Sequence, residues 1–150
     1  MASPDSKTSG SRRQFLATSA ATAATTLAAP RAFGVHTSGD HRLRIGVVGC
    51  GGRGKGACRD AIEAGAAVVI VAMADAFEDN LEAAYGSLSE QFASRIDCPK
   101  ERRFHGFDAY KKVLASDIDM VILATPPGFR PQHFRAAVDA GKHIFMEKPV

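Results

Sequence analysis

Two periods of apolar spacing alternate along this chain from about residue 42 onward. Residues 43–48 form a nearly unbroken apolar run, with Ile45, Val47 and Val48, as expected for a strand covered on both faces. Residues 54–64 switch to helical spacing. Ala57, Ala61 and Ala64 fall on one stripe, Cys58 and Ile62 lie beside it, and Gly65 is placed to stop the helix. Residues 67–74 (AVVIVAMA) return to a strand that closes on Asp75. Helical spacing resumes over 78–94 with Leu81, Ala84, Tyr85, Leu88 and Phe92 on one face. A loop containing Pro99 follows over 95–103, then a short strand at 103–105 and a helix over 108–115 with Tyr110, Val113 and Leu114 inward. Residues 119–124 (DMVILA) read as another buried strand and 143–146 as a last one. Between them Pro131 starts a helix bearing Phe134, Ala137 and Val138 and ended by Gly141. Strands alternating with helices in this way predict an α/β fold, a doubly wound parallel sheet.

The first junction carries the strongest chemistry. Gly49-Cys50-Gly51-Gly52-Arg53-Gly54 is a G-x-G-x-x-G loop between a strand and a helix. Glycine permits the tight turn at 49, close approach of a pyrophosphate at 51, and tight helix packing at 54. The helix start supplies unpaired amides and a favourable dipole for phosphate. Cys50 offers a small side chain within the loop. Asp75 lies 26 positions after Gly49, near the offset at which an acid accepts from adenosine ribose hydroxyls. Its charge repels a 2′-phosphate and no Arg or Lys follows over 76–80, so NAD is favoured, with NADP possible. The alternative role for Asp75 is a cap on the next helix.

In a parallel sheet, ligands lie beyond the carboxyl ends of the strands. That rule brings Thr125, Pro126 and Pro127, after the fourth strand, to the border of the same cleft. It also brings Glu147 and Lys148 there, after the fifth. Lys148 is the candidate catalytic group, a cation able to position a hydroxyl or assist proton transfer; its alternative is a plain surface lysine. His133 either touches the cofactor or bonds only the loop backbone.

Composition narrows the class. A chain of 150 residues usually makes one domain, yet residues 1–40 are rich in Ser, Thr, Ala and Pro and lack large apolar periodicity, so the globular part is expected over 41–150. The net charge is +3. Lys7, Arg12, Arg13 and Arg31 against Asp5 and Asp40 leave +2 in the first 40 residues and +1 in the remainder. No clustered basic face of the kind nucleic acid requires is seen, and no apolar run reaches the ~18 residues of a membrane span. Cys50, Cys58 and Cys98 make neither a C-x-x-C pair nor a disulfide framework and read as structural thiols. No metal-ligand spacing links His36, His41 or His105 to carboxylates or cysteines. Ser11-Arg12-Arg13-Gln14-Phe15-Leu16, ahead of a mildly apolar stretch over 17–29, reads as a twin-arginine leader. It predicts export to the periplasm through the twin-arginine machinery; a non-functional leader would leave the protein cytoplasmic.

Taken together, GVVGCGGRG, the strand ending in Ala74-Asp75, the Ala124-Thr125-Pro126-Pro127 loop, and Ala140-Gly141-Lys142-His143 leading to Glu147-Lys148-Pro149 resemble the Gfo/Idh/MocA family of nicotinamide-dependent oxidoreductases over about residues 42–150. The resemblance implies a dinucleotide-binding domain followed by a second α/β domain that forms the substrate floor and often an oligomer interface. It also implies hydride transfer between NAD(P) and a hydroxyl carbon of a sugar, polyol or derivative. Gly49 to Gly54 carry over as the phosphate loop, Asp75 as the ribose contact, Thr125 to Pro127 as cleft lining, and Glu147 with Lys148 as the E-K-P motif near the nicotinamide. The chain stops at Val150, directly after that motif. The expectation is therefore an N-terminal fragment or truncated frame, without a sixth strand, the substrate domain or its downstream Asp and His, and inactive alone. Some relatives of the family are redox glycoside hydrolases that use tightly held NAD, outside the two-carboxylate scheme. A non-catalytic nucleotide-binding module is the third possibility.

Overall fold

The computed structural model describes residues 42–148; the segment expected to be a twin-arginine leader and Pro149 lie outside them. Five strands, β1 (Leu43–Val48), β2 (Val68–Asp75), β3 (Arg103–His105), β4 (Met120–Leu123) and β5 (His143–Met146), form one sheet in the order β3-β2-β1-β4-β5. Every pairing in it is parallel. Helices α1 (Gly52–Ala64), α2 (Glu78–Phe92), α3 (Ala109–Ala115) and α4 (Arg130–Asp139) connect them. The doubly wound α/β expectation holds, with β1 central and the strand order reversing beside it.

Each face of the sheet has its own core. Ile45, Val47, Ile70, Met73 and Ile122 pack with Cys58 and Ile62 of α1 and Leu81, Ala84 and Leu88 of α2. Val69, Val71, Ala72, Val121 and Leu123 pack with Tyr110, Val113 and Leu114 of α3 and Ala137 of α4. Gly46 is needed for the second arrangement, because a Cβ there would lie 2.5 Å from Val113 Cγ1 and 2.9 Å from Ile118 Cδ1. The β1–β2 register shifts between Ile45, opposite Ile70, and Gly46, opposite Ala72. Val71 is the extra residue, and Val71 and Ala72 both join the α3-side core.

The end of the sheet away from the glycine loop is pinned by charge. The Arg44 N–H and Nε both donate to Asp119 Oδ2, at 2.9 and 3.2 Å, Nη2 donates to Oδ1 at 2.9 Å, and Nη1 pairs with Asp117. The guanidinium holds the Asp119 carboxyl below its ordinary range. Lys142 Nζ donates to the Ile118 carbonyl at 2.9 Å, tying the turn before β5 to the one before β4.

Three helical expectations need correction. The first helix starts at Gly52, two positions before Gly54, with Gly51 as its extended N-cap. In α4 the inward face is Arg130, His133 and Ala137, while Phe134 and Val138 are exposed. The i, i+3, i+7 row of the helix is set by a polar network, which outcompetes the apolar row that periodicity favours. Helix α2 ends at Phe92, short of the expected 94, and passes into a 3-10 turn, Ala93–Arg95; the 95–103 loop contains a second, Lys100–Arg102. Between these, Ile96 bridges to Ile70.

Candidate functional site

The site follows from how β1 ends. Gly49 turns the chain at φ +95°, where a Cβ would sit 2.8 Å from the Ala124 carbonyl carbon and 2.9 Å from the Thr125 nitrogen. The helix then starts so close that a Cβ on Gly54 would lie 1.8 Å from the Gly49 oxygen. The first amides of α1 have no acceptor within the helix and face the cleft side, where Gly51, Gly52 and Arg53 line a space of about 600 Å³.

From β2 comes Asp75. Its Oδ2 accepts from the Cys50 N–H at 2.7 Å and its Oδ1 from the Phe77 N–H at 2.9 Å. It is therefore not the cap of α2, whose N-cap is Phe77; it closes a turn two residues earlier. Each carboxylate oxygen retains a further lone pair toward the cleft that Asp75 lines. Cys50 points the other way. It is buried under the loop with Sγ 3.3 Å from the Ala74 carbonyl, and its N–H is already committed to Asp75. Burial pushes all three thiols up, Cys58 and Cys98 to about 12, so they stay protonated and inert.

The β4 and β5 ends complete the cleft. Thr125, Pro126, His133, Glu147 and Lys148 all line it. Pro127 stays exposed outside the lining and uses its carbonyl to accept from the Arg130 N–H at 3.3 Å. His133 is nearly buried, its Nδ1 shares a 3.1 Å hydrogen bond with the Thr125 hydroxyl, and its ring lies 4.3 Å from that of Tyr110. Loss of hydration pushes the imidazole pKa down. Its folded value thus lies below its unfolded one, so its contribution to stability is complete above the unfolded value of about 6.5 and is lost as pH falls from there through the folded value. The urea midpoint of the wild type should therefore fall between pH 7.5 and 5.5 relative to that of His133→Gln; parallel pH dependences would refute this.

The lining also includes residues that hydrophobic periodicity does not mark. Arg130, 7% exposed, donates from Nε to the Thr125 carbonyl at 2.6 Å and from Nη1 to the Glu147 carbonyl. Arg53 pairs with the buried Glu147 carboxylate, so the glycine loop meets the β5 end directly. Phe77, Phe107 and Phe129 form an exposed aromatic rim, Phe107 and Phe129 being stacked at 6.0 Å. The signal for Arg130 was present: it stands five residues beyond Thr125, at the start of the helix after a carboxyl strand end. Among the described residues no group of His, Cys, Asp and Glu is gathered to hold a metal ion.

A backbone turn closed to a Cβ at Gly49 and Gly54, free helix amides, and an acid at the end of the second strand fit a dinucleotide, and together with the strand order they define a dinucleotide-binding Rossmann domain. The comparisons agree. The family model for the oxidoreductase family with an NAD-binding Rossmann fold, GFO_IDH_MocA, matches residues 43–150. The chain belongs to this Gfo/Idh/MocA family of oxidoreductases with an NAD-binding Rossmann fold. It is 34% identical over 122 residues to a glycosyl hydrolase family 109 protein of Streptomyces coelicolor, covering 78% of this chain and 24% of that protein. It is 29% identical over 111 residues to an inositol 2-dehydrogenase of Klebsiella pneumoniae, covering 72% and 29%. Among solved structures, the WlbA dehydrogenase of Bordetella pertussis, in complex with NADH and UDP-GlcNAcA, is similar at 27% identity and a TM-score of 0.56, over 72% of this chain and 30% of that one. The chain thus spans about a quarter of the length of the curated relatives it matches.

Proposed function

We propose that this chain is the cofactor-binding part of an oxidoreductase that moves hydride between a nicotinamide dinucleotide and a hydroxyl carbon of a sugar, polyol or derivative. The observation that carries the reading is the convergence, on one cleft, of the glycine cradle after β1, Asp75 after β2 and Lys148 after β5. Gly51, Gly52 and the amides of α1 bind the phosphates, and Asp75 accepts from ribose hydroxyls and disfavours a 2′-phosphate, so NAD is preferred to NADP. The bound cofactor supplies the hydride chemistry. Lys148 holds the substrate hydroxyl and relays its proton. In the full-length protein, Lys148→Ala should lower kcat by about 10²- to 10⁴-fold and leave NADH affinity within a few-fold. Unchanged turnover would remove Lys148 from the reaction.

The similarity to a glycosyl hydrolase family 109 protein favours a second reading, a glycosidase working by transient oxidation with retained NAD. Denaturing the purified full-length protein and weighing the released dinucleotide separates the two. Near-stoichiometric NAD, with sugar release and no net NADH, supports the glycosidase; a freely exchanging cofactor with net NADH supports the dehydrogenase. No dinucleotide, even after soaking, supports a non-catalytic module.

The leader at Arg12-Arg13 supports export to the periplasm by the twin-arginine route, and the family supports a homo-oligomer of the full-length protein. Replacing both arginines by lysine should trap the precursor inside the cell. Among the described residues no helix is long and apolar enough to cross a membrane.

A further inference from the structure

Residue 147 is held at every polar group it has. Its N–H donates to the Leu123 carbonyl at 3.1 Å, its carboxylate pairs with Arg53, and its carbonyl accepts from Arg130 Nη1. That carbonyl belongs to the peptide group whose nitrogen is that of Lys148, so whatever fixes it fixes the plane from which Lys148 departs. The same guanidinium reaches the Thr125 carbonyl from Nε. Strands β4 and β5 are paired, Leu123 opposite Met146, and Arg130 joins the two turns that leave them. Burying a guanidinium this completely is unfavourable unless its donors are matched to acceptors. A planar fork can serve two carbonyls at once, which an ammonium on a flexible stem cannot do in fixed geometry. Packing alone does not call for this arrangement, since an apolar residue would fill the first turn of α4 without burying charge.

We propose that Arg130 is a positioning residue for Lys148: it locks the Glu147–Lys148 peptide to the Thr125 turn and so holds the lysine amine over the cleft. This rests on the reading of Lys148 as a group of the dinucleotide cleft. Arg130 acts through the two carbonyls.

The test is reductive methylation of the whole chain with formaldehyde and a borane, with and without NADH, scored by peptide mass spectrometry. Lys111 and Lys112, exposed on α3, serve as internal references. In the wild type NADH should protect Lys148 and not the references. In Arg130→Ala that protection should fall by about tenfold, the equivalent of losing one hydrogen bond to a charged group, while NADH affinity changes by less than that. Guanidinium chloride at sub-denaturing concentration should restore protection, and sodium chloride at equal ionic strength should not, which a general loss of packing would not reproduce. Arg130→Lys, which keeps the charge and most of the stem, carries the test should Arg130→Ala fail to fold, and should lose protection too. Full protection of Lys148 in a folded, NADH-saturated variant overturns the proposal. So does a large loss of NADH affinity with protection intact at saturation, which would make Arg130 a direct ligand. Absence of protection in a wild type that binds NADH overturns the Lys148 reading and this proposal with it.

Discussion

Gly54→Ala is expected to abolish dinucleotide binding and to destabilise the fold, although it adds a single methyl group. The added Cβ would lie 1.8 Å from the Gly49 oxygen and 2.9 Å from the Gly49 carbonyl carbon. Retreat is blocked, because Gly49 is itself held at φ +95° with its Cβ position against the backbone of Ala124 and Thr125. Backbone meets backbone on both sides, and no flexible side chain can yield. Overpacking of this kind typically costs about 1–3 kcal/mol and sometimes more, a sizeable share of the roughly 5–15 kcal/mol that holds a domain together. Relief requires α1 to move off β1, which displaces the helix amides proposed to receive phosphate. NADH titration should show at least about a hundredfold weakening, equivalent to ~2.7 kcal/mol, and the urea midpoint should drop. Gly56→Ala is the control. It lies in the same helix with nothing within 4 Å of its Cβ, and should be neutral or stabilising by up to about 1 kcal/mol. Wild-type NADH affinity in Gly54→Ala would remove the cradle from the binding site.

Asp75→Ala is expected to act in two places at once. Its two oxygens satisfy the N–H groups of Cys50 and Phe77. The Cys50 residue is buried, so losing its acceptor leaves an unpaired donor, at about 1–3 kcal/mol. The lost carboxylate also removes both the ribose acceptor and the charge that repels a 2′-phosphate. NAD affinity should therefore fall by about tenfold or more, while NADP affinity falls much less, so the ratio between the two collapses. An unchanged NAD to NADP ratio, measured by parallel titrations, would remove Asp75 from cofactor selection and leave it a structural acceptor.

Strands were legible because both faces of this sheet are covered: a nearly unbroken apolar run such as 43–48 has no other economical home, and β1, β3 and β5 fall where periodicity puts them. The glycine loop was legible because its residue type is dictated by backbone clearance, a local property. What was not legible is long-range polar satisfaction. The apolar row of α4 is Phe134 and Val138, yet these face outward, because Arg130 and His133 find partners at Thr125 and Glu147 that no spacing rule displays. Cys50 was read as part of the cofactor surface because it lies inside the motif. Its amide is instead spent on Asp75, a pairing across 25 positions that appears only when β1 and β2 lie side by side.

The register shift in β2 gives the site its handedness. Side chains of a strand alternate faces, and Val68 and Ile70 belong to the core under α1 and α2 while Val69 and Val71 belong to the opposite one. Uninterrupted alternation would send Met73 and Asp75 to the α3 side. Because Val71 and Ala72 share that side, the count inverts, Met73 returns to the α1 core, and Asp75 emerges toward the Cys50 amide. The bulge thus absorbs the extra residue, and the acid at the strand's end keeps the face it would have without Val71. A one-residue deletion at Val71 would restore plain alternation and leave the carboxylate facing the loop, whereas straightening the strand with Val71 in place would turn it away. In this protein, the direction of the acid proposed to select the cofactor depends on where a strand breaks its alternation as much as on the residue type at its end.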